Sequence, residues 1–118
     1  ARGFSTRKDN TMGNRATIEV KDHESSAPCY VYIHWEGDPS NVVKAVKRAA
    51  PNMRRTDCQY AMARLIGSYH SRIVGGLSLG VTAYKEDFDN GHYVVDLAKG
   101  TITNGAHLVA EDIEFGQF

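Results

Sequence analysis

With 118 residues, 42% of them hydrophobic, 24% charged and only three proline, the chain has the length and composition of one ordinary globular domain. Its 14 Lys and Arg balance its 14 Asp and Glu, which argues against tight nonspecific capture of nucleic acid, because that affinity comes from neutralising phosphates. No apolar run approaches the ~18 residues that cross a bilayer and no secretory core follows the first residues, so a cytoplasmic protein without membrane contact is expected.

The charges are unevenly placed. Through Arg72 there are twelve Lys/Arg against seven Asp/Glu, and from Ile73 onward two against seven, so the first part is +5 and the second −5. A dipolar chain of this kind either carries two differently solvated ends or steers a charged partner onto one face. Cys29 and Cys58 lack CxxC spacing and fall in separate elements, one on a strand pattern and one on a helix pattern. Two reduced, buried thiols are therefore expected, with a disulfide as the alternative that the count allows.

In chain order, residues 1–13 are polar and without period, and Met12-Gly13 precedes the first patterned segment. They are expected to be a disordered arm or a cloning remnant, leaving 14–118 as the single domain. Ala16, Ile18 and Val20 alternate with Thr17, Glu19 and Lys21, the period of a half-buried strand. After a polar turn over 22–28, Cys29, Val31, Ile33 and Trp35 alternate with Tyr30, Tyr32 and His34, which predicts an antiparallel hairpin with the first set facing the core.

Asp38 and Pro39 supply an N-cap and a first helical residue, and Val42, Val43, Val46, Ala49 and Ala50 form an apolar stripe that ends at Pro51. Thr56 is the expected cap of a longer helix. Along it Cys58, Ala61, Met62, Leu65, Tyr69 and Ile73 recur at helical spacing before Gly75-Gly76. Strand alternation returns at Leu77–Tyr84, Tyr93–Leu97 and Thr101–Thr103, with turns at Asp89-Asn90-Gly91 and Lys99-Gly100. The tail from His107 has room for one more edge strand carrying Val109, Ile113 and Phe115. The resulting fold class is α+β: an antiparallel sheet of about five strands, order ββααβββ, with both helices on one face.

The segment Tyr30–Pro39, YVYIHWEGDP, is the densest cluster of chemistry-bearing residues. With the helices on the core side, Tyr30, Tyr32 and His34 share the outer sheet face, with Trp35, Glu36 and Asp38 at its end. Aromatic rings with polar tips suit a macromolecular interface and also cross-strand stabilisation; bases of a single strand would stack on them too. His34 with Glu36 or Asp38 is the one His–carboxylate pairing the strand spacing suggests. The five histidines show no metal-ligand interval with each other or with cysteine, and neither a nucleophile elbow nor a phosphate loop is present. No metal and no cofactor is therefore expected. Lys44, Lys47, Arg48, Arg54, Arg55 and Arg64 lie on or between the helices, off the apolar stripes, as a basic face for solvent, an acidic partner or nucleic-acid phosphates.

Asn14-Arg15-Ala16-Thr17-Ile18, followed by Tyr32-Ile33-His34-Trp35-Glu36-Gly37-Asp38-Pro39, resembles a group of small bacteriophage- and prophage-encoded proteins of unknown function, with an opening of the S-x-R-[AS]-x-I type and a later HWDGYP-type element. The resemblance covers roughly the first forty residues. It departs at Glu36 and Asp38, where that group tends to carry Asp and an aromatic residue. It implies a mobile-element accessory protein working in a bacterial cytoplasm, and supplies no catalytic residue.

The first expectation is a noncatalytic binding module that docks a protein partner through Tyr30, Tyr32, His34, Trp35, Glu36 and Asp38. The alternatives are a small hydrolase or nuclease-like enzyme using His34 with Glu36 or Asp38, and nucleic-acid binding through Lys44, Lys47, Arg48, Arg54 and Arg55. An exposed sheet edge or face is also a surface that a second copy would cover as a homodimer.

Overall fold

A computed structural model describes residues 14–71, 78–85 and 89–116. The expected N-terminal arm, the Ile73 end of the second helix with its Gly75-Gly76 stop, and Leu77 lie outside the described residues. Strands β1 (Ala16–Lys21) and β2 (Tyr30–Ile33) are followed by helices α1 (Pro39–Ala49) and α2 (Cys58–His70), then by β3 (Leu79–Thr82), β4 (His92–Asp96), β5 (Thr101–Asn104) and β6 (His107–Ala110). The sheet runs β3-β2-β1-β4-β5-β6.

The α+β class stands, but the sheet has six strands, and it is mixed. Every neighbouring pair is antiparallel except β1 and β4, which run parallel with Thr17 opposite His92 and Lys21 opposite Asp96. A parallel pair needs a long crossover. Here the chain between β1 and β4 supplies it, passing through β2, both helices and edge strand β3 before returning to the free side of β1. The tail contributes β6, so the order is ββααββββ.

Alternation along each strand sets the core. Ala16, Ile18 and Val20 of β1, Val31 and Ile33 of β2, Tyr93 and Val95 of β4, and Ile102 of β5 are fully buried. Against them pack Val42, Ala45, Val46 and Ala49 of α1, and Cys58, Ala61, Met62, Leu65 and Tyr69 of α2. Burying each larger aliphatic side chain contributes about 1.5–3 kcal/mol. Both helices therefore cover one face, α2 lying on β1 and α1 reaching β6. Ile113 and Phe115 of the tail close the same core. No helix of the described residues is long and apolar enough to cross a membrane.

Some local expectations are corrected. Val81 keeps the inward phase of its strand, opposite Val31, yet is 59% exposed, because edge strand β3 lies beyond the cover of the helices. Trp35 is not in the core; β2 ends at Ile33, the chain bends, and alternation stops there. Ala45 rather than Val43 fills the inward position of α1. The cap of α2 is Asp57, one residue later than Thr56, with its carboxylate accepting from Tyr60 N at 3.0 Å. Both thiols are free: Cys29 Sγ lies 3.6 Å from Met62 Sδ, and burial pushes the Cys58 thiol up. The helix-start position of Cys58 therefore does not activate it.

Two polar junctions hold the layers in register. The Asp22 carboxylate accepts from the backbone of Ser25 (2.8 Å), Glu24 (2.9 Å) and Cys58 (3.0 Å), tying the β1–β2 turn to the start of α2. Those bonds hold its pKa down at about 2. At the β2–α1 corner, Gly37 N donates to Asn14 O at 2.8 Å, while Gly37 O accepts from the buried Tyr93 hydroxyl at 2.8 Å. A Cβ at Gly37 would meet Asn14 O at 2.5 Å, so only glycine allows this approach.

Candidate functional site on the outer sheet face

Tyr30, Tyr32 and His34 point away from the helices, each half-buried, while Val31 and Ile33 between them are fully buried on the other side. Tyr32 Oη and His34 Nδ1 share a hydrogen bond of 2.8 Å, and the His34 ring stands edge-on to Trp35 with centroids 4.8 Å apart. Trp35 thus extends the row from outside the strand. Tyr30 sits edge-on to His92, centroids 5.0 Å apart, across β1.

The remaining members of the expected site separate. Asp38 is the N-cap of α1: it accepts from Asn41 N at 3.3 Å, Asn41 Nδ2 at 2.8 Å and Asn14 Nδ2 at 2.9 Å. Burial pushes its carboxyl up, but the Asn41 and Asn14 bonds outweigh this and leave it below the usual range. Glu36 is exposed, on backbone with φ of 63°. His34 Nδ1 is engaged by Tyr32, and among the described residues no hydrogen bond or ion pair joins His34 to Glu36 or Asp38. The expected pairing of His34 with Glu36 or Asp38 is therefore not formed, and the Glu36-Gly37-Asp38-Pro39 run is a structural corner. Lys44, Lys47, Arg48, Arg54 and Arg55 are all exposed, as expected, on the opposite layer.

The parallel register brings together residues that local spacing does not connect. His92 Nε2 lies 2.9 Å from Glu19 Oε1, and His92 Nδ1 lies 2.7 Å from Thr17 Oγ1. Ser26 Oγ donates to the other Glu19 oxygen at 3.2 Å. In the neutral imidazole, Nε2–H donates to the carboxylate and Nδ1 accepts the Thr17 hydroxyl. Nearby, Arg15 holds Asp89 through its Nε (3.1 Å) and its backbone N (2.8 Å). Burial pushes the Asp89 carboxyl up, but Arg15 outweighs it and keeps it below the usual range. Asn90 adds bonds to Asn14 Oδ1 and to the Arg15 carbonyl. This fixes the return of the chain into β4.

Carboxylate, imidazole and hydroxyl in sequence have the order of a nucleophilic triad. Thr17, however, is fully buried, so its hydroxyl has no path to a substrate. The chain Glu19–His92–Thr17 instead fastens β4 to β1 and supports the Tyr30 ring. Clefts of about 360 Å³ and 440 Å³ are lined by residues other than this row: the first by Arg55, Lys99 and the 112–115 tail, the second by α1 and α2. Among the described residues no group of three or more His, Cys, Asp or Glu is placed to hold a metal ion. No protein-family model, curated protein or solved structure matches the chain.

Proposed function

We propose that the chain is a noncatalytic binding module that docks a protein partner through the outer sheet face, with Tyr30, Tyr32, His34 and Trp35 as the contact row. One observation carries this reading: the alternate positions Tyr30, Tyr32 and His34 retain partial exposure on the side opposite both helices, above the fully buried Val31 and Ile33, and Trp35 stands edge-on against His34 at the end of the row. Rings of this type supply large contact area at low conformational cost. The polar tips of Tyr32 and His34 are already hydrogen-bonded to each other, which lowers the desolvation cost of docking on these two. The origin we propose, a phage or other mobile element acting in a bacterial cytoplasm, rests on the Asn14–Ile18 and Tyr32–Pro39 segments alone.

The test is affinity capture from the native host with the wild-type chain and with Tyr30→Ala/Tyr32→Ala. A partner retained by the wild type should be lost from the double variant while its thermal unfolding stays cooperative. Equal recovery on both would remove the sheet face from consideration.

A further inference from the structure

The helical layer has a surface of opposite character. From Pro39 to Ser71 the chain carries Lys44, Lys47, Arg48, Arg54, Arg55 and Arg64 against a single carboxylate, Asp57, which is engaged as the cap of α2. In the seam between α1 and α2 lies a groove of about 440 Å³, lined by Arg48, Asn52, Arg64, Gly67, Ser68 and Ser71 among others, with no carboxylate among the described residues of its wall. Arg48 Nε reaches across it to Ser68 Oγ at 3.2 Å. The Arg64 guanidinium donates to the Tyr60 hydroxyl (3.0 and 2.6 Å), and Arg54 lies over the same ring, 4.4 Å from its centroid. Two arginines on the groove wall are thus held in place before any ligand arrives, which lowers the ordering cost of binding.

Gly67 is the independent observation. Glycine within a helix is destabilising relative to alanine. Here no packing among the described residues explains it, since a Cβ at this position meets none of their atoms within 4 Å and the backbone is ordinary helix. Its missing side chain is part of what keeps the groove floor open.

We propose that this groove binds the phosphate group of a phosphate ester, with Arg48 and Arg64 as the charged contacts and Asn52, Ser68 and Ser71 as hydrogen-bonding partners. Planar guanidinium forks match phosphate oxygens, and hydroxyl and amide donors complete the set. The site is separate from the sheet face, so its failure leaves the docking proposal untouched.

The experiment is a titration of the 15N-labelled chain, at constant ionic strength, with inorganic phosphate, adenosine monophosphate and a short single-stranded oligonucleotide. We expect saturable amide shifts centred on Asn52, Gly67 and Ser68. Saturation with the two small ligands identifies a small phosphorylated molecule; saturation with the oligonucleotide alone identifies a nucleic-acid backbone. Gly67→Glu places a carboxylate in open space on the groove floor, and with Arg64→Gln it should weaken binding at least tenfold while the melting temperature is maintained. If one variant fails to fold, the other carries the comparison. Shifts that grow linearly, that sodium chloride reproduces at matched ionic strength, or that survive both substitutions would overturn the assignment.

Discussion

The two outer surfaces of this molecule handle polar groups in opposite ways. On the sheet side, acid, base and hydroxyl are settled against one another: Glu19 with His92 and Ser26, His92 with Thr17, Tyr32 with His34, Arg15 with Asp89. On the helical side, cations outnumber carboxylates six to one across α1, α2 and the segment joining them. A surface whose polar groups are internally matched favours contact by shape and aromatic area. One built from elements rich in one sign favours anions and responds to salt.

The sharpest way to break the comparison is at the corner that joins the layers. Gly37→Val drives a side chain into the Asn14 carbonyl and should cost about 3 kcal/mol, read from the urea midpoint. A cost well under 1 kcal/mol would mean that the corner does not fix the relation between strand row and helix. Asp22→Asn removes a charged acceptor of three backbone N–H groups and should cost about 2 kcal/mol at neutral pH.

The same residue gives a pH signature. Its folded pKa of about 2 lies below the ordinary 3.8, so its stabilisation is complete above pH 3.8 and is lost as pH falls through about 2. The wild type should lose stability across that window more steeply than Asp22→Asn.

Within the sheet face, His92→Phe keeps the ring but leaves the buried Thr17 hydroxyl and Glu19 without the imidazole. About 1–2 kcal/mol should be lost, measured by chemical denaturation. If that substitution is neutral, the face is not an internally matched network and the contrast with the helices weakens. The smallest effect belongs to the helical layer: Lys44→Gln with Lys47→Gln, both exposed, should change stability by no more than about 0.5 kcal/mol.

The period of the strands and the Asp38-Pro39 start of α1 were legible because they are local. Alternation placed Val31 and Ile33 inside and Tyr30 and Tyr32 outside, and the structure agrees. The two-residue Gly105-Ala106 loop that closes the β5–β6 hairpin, with Gly105 at φ 61° in its first position, is a local signal strong enough to have marked β6 as a strand outright.

Strand order was not legible, since nothing within β4 says that it lies parallel beside β1. The Glu19–His92 contact, 73 residues apart in sequence, exists only through that register. The misplacement of Trp35 and the exposure of Val81 have a related reason. Alternation assigns a phase, but whether a phase is covered depends on where the strand ends and how far the helices reach.

The central claim is that the tyrosine row, and not the basic layer, holds the protein partner. The most direct measurement compares capture by the wild type, by Tyr30→Ala/Tyr32→Ala and by Lys44→Gln/Lys47→Gln under one salt condition, with all three chains shown to be folded. The account predicts a partner lost from the tyrosine variant and kept by the lysine variant. A partner kept by the tyrosine variant and lost from the lysine variant would contradict it.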